Sequence, residues 1–301
     1  MNKKDLGKAF GFHRASDTVG AVIGSFLGFV FLIVITGNAS EIYRLIFVIS
    51  AIPAAISVII AQVFVTEKKP IITARKSSET VDQEQLEYQK DEQGATKPAA
   101  DDHSRNKKHG GFVQSLRTFD TRLKFFIVIS SIFSFANFNL SFFILRAKAA
   151  EISDTDILLL YTLFNIMYAA VAYPFGAISD KIGRDKVIMI GFAVFVATTL
   201  GFAFFSFSLV NIIILFAILG IYMGMFDGSQ KSYVSEIAHP SYKATALGTI
   251  ATLTGIITLP ASLVAGIFWD RFGYSATFVF SAAIASVALI LFIVHRMKLS
   301  D

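Results

Sequence analysis

The chain has 301 residues, 54% of them hydrophobic and 16% charged, with a mean hydropathy of +0.62 and 31 Phe. Soluble domains carry roughly 25% charged residues, and a soluble core cannot hide this much apolar surface, so an ordinary soluble fold is excluded. The net charge of +5 falls in short gaps between apolar runs, which reads as membrane orientation rather than nucleic-acid binding. With no cysteine there is neither a disulfide framework nor a thiolate metal site.

A helix needs about 20 largely apolar residues to cross hydrocarbon. In chain order such runs lie at roughly 18–37, 43–65, 123–145, 156–178, 187–206, 209–229, 245–268 and 275–295. The expected fold is therefore all-α, a polytopic protein of about eight transmembrane helices in contact with the lipid bilayer. Gly20, Gly24, Gly28, Pro53, Pro174, Gly220, Gly224 and Pro260 lie inside these runs. In membranes, neighbouring helices satisfy freed backbone groups and small residues permit close packing.

With the N-terminus inside, 23 of the 27 Lys and Arg residues share one side, and only Arg44, Arg146, Lys148 and Arg271 lie on the other. This asymmetry predicts a multi-pass protein of the cytoplasmic (inner) membrane with both termini cytoplasmic. Residues 67–119 lack apolar periodicity and mix both charge signs, which predicts a flexible cytoplasmic connector. It separates two helices (1–66) from six (120–301).

Several polar groups stand out against the apolar runs. His13, Arg14 and Asp17 share a helical face at the start of the first run. They are either a pH-responsive cluster or an interfacial charge anchor. Asn137, Asn139, Tyr161, Asn165 and Tyr168 place polar atoms at membrane depth, the last three on one stripe. They suit either a substrate cavity or interhelical hydrogen bonds that hold a bundle. Asp227 and Lys231 are spaced i, i+4, with Glu236 just beyond. A carboxylate within a span is a functional candidate by default, yet Asp227 lies near the interface, where a structural ion pair linked to the loop at Asp180 is the better reading than a proton-carrying site. The five histidines are scattered and no catalytic motif is present, so no enzyme activity, metal or cofactor is expected.

Two internal matches organise the chain. Leu6 to Gly11 aligns with Lys243 to Gly248, each leading into a helix rich in small residues. Gly176-Ala-Ile-Ser-Asp180-Lys181-Ile-Gly183 aligns with Gly266-Ile-Phe-Trp-Asp270-Arg271-Phe-Gly273, both of the form G-x-x-x-D-[KR]-x-G. Repeats of about three helices mark secondary transporters.

The segment GAISDKIGRDK (176–186) resembles the loop signature of the major facilitator superfamily, which joins the second and third helices of each six-helix half. GKAFGFHRASDTVGAVIG resembles the start of that family's fifth helix, and HPSYKATALG the start of its eleventh. The chain departs from the signature at Asp185, where a second basic residue is usual.

The resemblance implies that the chain covers helices five to twelve of a twelve-helix fold and lacks the first four. It implies a secondary transporter that moves a small solute by alternating access, with proton coupling as one option. It also makes Gly176, Asp180, Lys181, Gly183 and Arg184 a conformational latch, in which Asp180 meets the N-terminus of another helix, expected near Ala244. An ordinary solvated turn is the other reading. Helices bearing Asn137, Asn139, Tyr161, Asn165 and Tyr168 correspond to cavity-facing ones. The alternative function is a remnant that does not transport by itself, self-associates, or receives its missing helices from another chain.

Overall fold

The computed structural model describes residues 5–35, 39–64, 119–205 and 208–300. Among these every regular element is helical: α1 (Leu6–Val34), α2 (Ala39–Phe64), α3 (Thr121–Ala136), α4 (Ser141–Lys148), α5 (Asp154–Ile182), α6 (Arg184–Phe204), α7 (Leu209–Ile237) and α8 (Lys243–Ser300). A 3₁₀ turn, Pro240–Tyr242, precedes α8. The fold is all-α, as expected. The connector lies outside the described residues, Phe119 apart.

Six described helical runs are long and apolar enough to cross a membrane, α3 and α4 counting as one run. The last, at 58 residues, is long enough for two crossings. At about 1.5 Å per residue it would far exceed a hydrocarbon core of about 30 Å, and Gly273 breaks it with φ 83° and ψ 172°. Gly183 makes the matching break between α5 and α6 with φ 105°. Both glycines end the repeated G-x-x-x-D-[KR]-x-G segment, and both occupy left-handed backbone that side chains with a Cβ rarely adopt.

The third apolar run is not one helix. α3 stops at Ala136 and α4 begins at Ser141. Asn139 Oδ1 accepts from the Ser141 N–H at 2.8 Å and from its hydroxyl at 2.6 Å. Asn137 is the C-cap of α3. Elsewhere local caps set the starts: Asp120 accepts from the Thr121 N–H, Ser153 from Asp156 and Ser208 from Asn211, relieving donors that a helix start leaves unpaired.

α1 and the helices from α3 onward form one compact unit, and α2 falls in a second. α2 holds Pro53 within 26 helical residues, and its described apolar stretch runs Arg44–Ile60. Within the first unit, α1 lies antiparallel on α5 and touches α7. The near end of this unit, where α1 starts, also carries Gly183 and the start of α8; the far end carries α4 and Gly273.

The interior is largely aromatic. Phe133 stacks on Phe192 at 3.9 Å and meets Phe195 and Phe226, joining α3, α6 and α7. Toward the far end Phe143, Phe202 and Phe278 pack together. Because lipid is as apolar as these rings, such contacts hold the helices by close packing rather than by escape from water.

Candidate functional site

The site is built where α1 crosses α5 and α7 at the near end. Its first element is a helix start with no cap of its own. Asp5, in the N-cap position of α1, makes no capping hydrogen bond with its side chain. The cap comes instead from α5: the Gly7 N–H donates to Asp180 Oδ1 and the Lys8 N–H to Asp180 Oδ2, each at 2.9 Å. A carboxylate there satisfies two unpaired donors and meets the positive end of the helix dipole.

That approach requires glycine. A Cβ on Gly7 would meet the Gly176 carbonyl, with Ser179 Oγ at 2.5 Å and Asp180 Oδ1 at 2.8 Å. A Cβ on Gly11 would meet the Ala172 carbonyl oxygen at 2.5 Å. The partner α5 is held on its other side by the same device, since a Cβ on Gly220 or Gly224 of α7 would meet the α5 backbone.

Asp180 also pairs with Arg184 at 2.7 Å, and Arg184 continues to Glu236 at 2.6 Å. The Asp180 and Arg184 side chains are only 5% and 6% exposed. A buried carboxylate is costly unless paired and hydrogen-bonded, and here it has a guanidinium and two backbone N–H groups. Beside them Asp185 pairs with Arg296 at 2.5 Å, so the residue that departs from the basic signature ties the α6 start to the end of α8. Lys181 is exposed.

One turn deeper lies a second cluster. Arg14 Nε meets Asp227 Oδ2 at 2.5 Å and the Tyr168 hydroxyl, while its Nη1 reaches Asp17 at 2.9 Å. The Tyr168 hydroxyl donates to Asp227 Oδ2 at 2.8 Å, and Lys231 pairs with Asp227 Oδ1 at 3.3 Å. Two cations and two carboxylates thus join α1, α5 and α7. Farther along the same crossing the Thr162 hydroxyl donates to Ser25 Oγ at 2.9 Å.

Several expectations are corrected by this geometry. Asp180 meets the start of α1 and not the helix beginning near Ala244; the two starts are repeats of each other, and the sequence repeat alone does not choose between them. Glu236 belongs with Arg184 rather than with Asp227 and Lys231. Arg14 finds its partners on α5 and α7 as well as Asp17 of its own helix, whereas His13 is exposed and is not among them. Asn137 and Asn139 sit at the α3–α4 break. Asn165 is buried and bonds the Tyr161 carbonyl oxygen of its own helix at 2.8 Å, so the stripe from Tyr161 to Tyr168 joins the site only through Tyr168. The residues missed were Gly7 and Gly11. Their Gly-x-x-x-Gly spacing was a readable signal for close helix crossing.

No group of three or more His, Cys, Asp or Glu suited to a metal ion occurs among the described residues.

The family model described as Major Facilitator Superfamily matches residues 125–299. An uncharacterised MFS-type transporter of Methanocaldococcus jannaschii is 35% identical over 298 residues, covering 96% of this chain and 65% of that protein. Uncharacterised MFS-type transporters from two Mycobacterium tuberculosis strains are 31% identical over 142 residues, covering 46% of this chain and 33% of each relative. The chain thus spans less than two thirds of the length of these relatives.

Proposed function

This chain belongs to the major facilitator superfamily, and from that premise we propose that it takes part in moving a small solute across the membrane by alternating access. The observation that carries the proposal is the reach of Asp180 across to an uncapped helix start. A contact between two helix groups that a single carboxylate can make or release is what a latch requires. α1 then acts as a piece of one bundle docked on the bundle formed by residues 120–301, and the pair Asp180–Arg184 with Glu236 holds the near end shut. Release of α1 would also have to break Arg14 from Asp227 and Tyr168, so the two clusters act as one coupled lock.

The positive-charge asymmetry supports a near end facing the cytoplasm, with both termini inside and the protein in the cytoplasmic membrane. Protons are among the candidate coupling ions.

A second reading is favoured by a specific feature. A Cβ on Gly20, Gly24 or Gly28 of α1, or on Gly248 or Gly255 of α8, would have no described atom within 4 Å. Open faces of this kind accept another helix at close range. Under this reading the chain works with further helices, either from a second copy of itself or from another chain.

Proteoliposomes containing the purified chain test both readings. A metabolite mixture is supplied under an imposed proton gradient, and the lumen is assayed by mass spectrometry alongside oligomeric state. Concentrative uptake of one solute class that is lost in Asp180→Asn supports the transport reading. Inert monomers would contradict it, and uptake confined to an oligomer or to a mixture with added helices supports the second.

A further inference from the structure

Beside the second cluster a cleft of about 480 Å³ opens between α1, α7 and the first limb of α8. One wall is apolar, formed by Phe10, Val234, Leu247 and Ile250, and Gly248 keeps it open; the other carries Asp227, Gln230, Lys231 and, from α8, Thr254. The balance of satisfied and unsatisfied groups differs sharply between the two charges. Asp227 already accepts from Arg14, Tyr168 and Lys231. Lys231 has three donors, and among the described residues its ion pair is with Asp227 at 3.3 Å. Its side chain is 42% exposed, against 19% for Asp227.

A cation entering the cleft would meet two cations, Arg14 and Lys231, around a carboxylate that already accepts from three donors. An anion would meet an ammonium with donors to offer. From this we propose that the cleft is a binding site for a small amphipathic organic anion, a carboxylate with a short hydrocarbon tail. The carboxylate pairs with Lys231 and takes further hydrogen bonds from the Gln230 amide and the Thr254 hydroxyl. The tail lies along Phe10, Leu247 and Ile250. The proposal stands apart from transport, since binding is measured with the protein at rest.

The chain has no cysteine, so Ala251→Cys places a single thiol in the cleft lining. Maleimide labelling of this variant is followed in nanodiscs of zwitterionic lipid, with octanoate, octylamine or octanol added. A second single-cysteine variant, Glu151→Cys at the far end, controls for global effects. The expected result is a several-fold slowing by octanoate at position 251 only, with no slowing by octylamine or octanol. The octanoate effect should be lost in Lys231→Gln and kept in Lys231→Arg, which also separates loss of charge from loss of fold. Equal slowing by octanol, or persistence of the octanoate effect in Lys231→Gln, would overturn the proposal. So would protection by phosphatidylglycerol in the nanodisc without octanoate, which would make the cleft a lipid-headgroup site.

Discussion

Asp180 performs at long range the capping that Asp5 does not perform locally. The interaction is strong because it is dry: a buried carboxylate with two backbone donors and one guanidinium has little to gain from water. Removing one member of a buried ion pair costs roughly 3–5 kcal/mol. Asp180→Asn should fall toward or below the low end of that range, because Arg184 keeps Glu236. With cysteines at Lys8 and Lys181, both exposed positions near the contact, cross-linking should drop several-fold in Asp180→Asn while membrane insertion is unchanged. Unchanged cross-linking would reduce the loop to an ordinary turn.

Arg14 and Asp227 offer a cleaner measurement at the same scale, because each keeps another partner when the other is lost: Asp17 for Arg14 and Lys231 for Asp227. Residues in direct contact typically show coupling of about 0.5–3 kcal/mol in double-mutant cycles. Arg14→Gln and Asp227→Asn should each lower thermal stability, and the double variant should lose less than the sum. Strict additivity would mean that the close approach of these groups carries no energy.

At the scale of elements, α1 is two surfaces on one helix. Its first turns cross α5 through glycines, while Gly20, Gly24 and Gly28 stay open. Overpacking a tight interface costs typically about 1–3 kcal/mol. Gly11→Leu should therefore lower the melting temperature of the purified protein, and Gly24→Leu should leave a monomer's melting temperature nearly unchanged. If the second functional reading holds, Gly24→Leu should instead weaken association, read as a shift in oligomeric state in nanodiscs. A fall with Gly24→Leu equal to that with Gly11→Leu, in a monomeric protein, would contradict the packing described.

Element existence was well marked in the sequence, because an apolar run of membrane length has few alternatives to a helix. Helix ends and breaks were less legible. α1 begins at Leu6 because its polar first turns pack on α5, beyond the reach of any hydropathy pattern, and α3 ends at Ala136 because Asn139 caps a new start within an apolar run. The candidate site was half legible: Asp180, Arg184, Arg14 and Asp227 could be picked out as charges at the margins of apolar helices. Their pairing could not. The repeat that relates Gly7 to Ala244 left two helix starts equally suited to Asp180, and only tertiary packing decides which one it caps.

At the scale of the whole molecule, the account rests on the α1–α5 contact being a joint that opens rather than a fixed seam. Close glycine packing, a long-range cap and a partly exposed charge cluster lie along that one crossing, so opening has to release all three together. Such coupling predicts two discrete separations at the near end instead of a continuous spread. The cysteine-free background allows spin labels at Lys8→Cys and Lys181→Cys, with distances measured by double electron–electron resonance in proteoliposomes. The account predicts a short and a long distance population, the long one increased by Asp180→Asn and by an imposed ion or solute gradient. A single short distance that neither the substitution nor any gradient changes would contradict it.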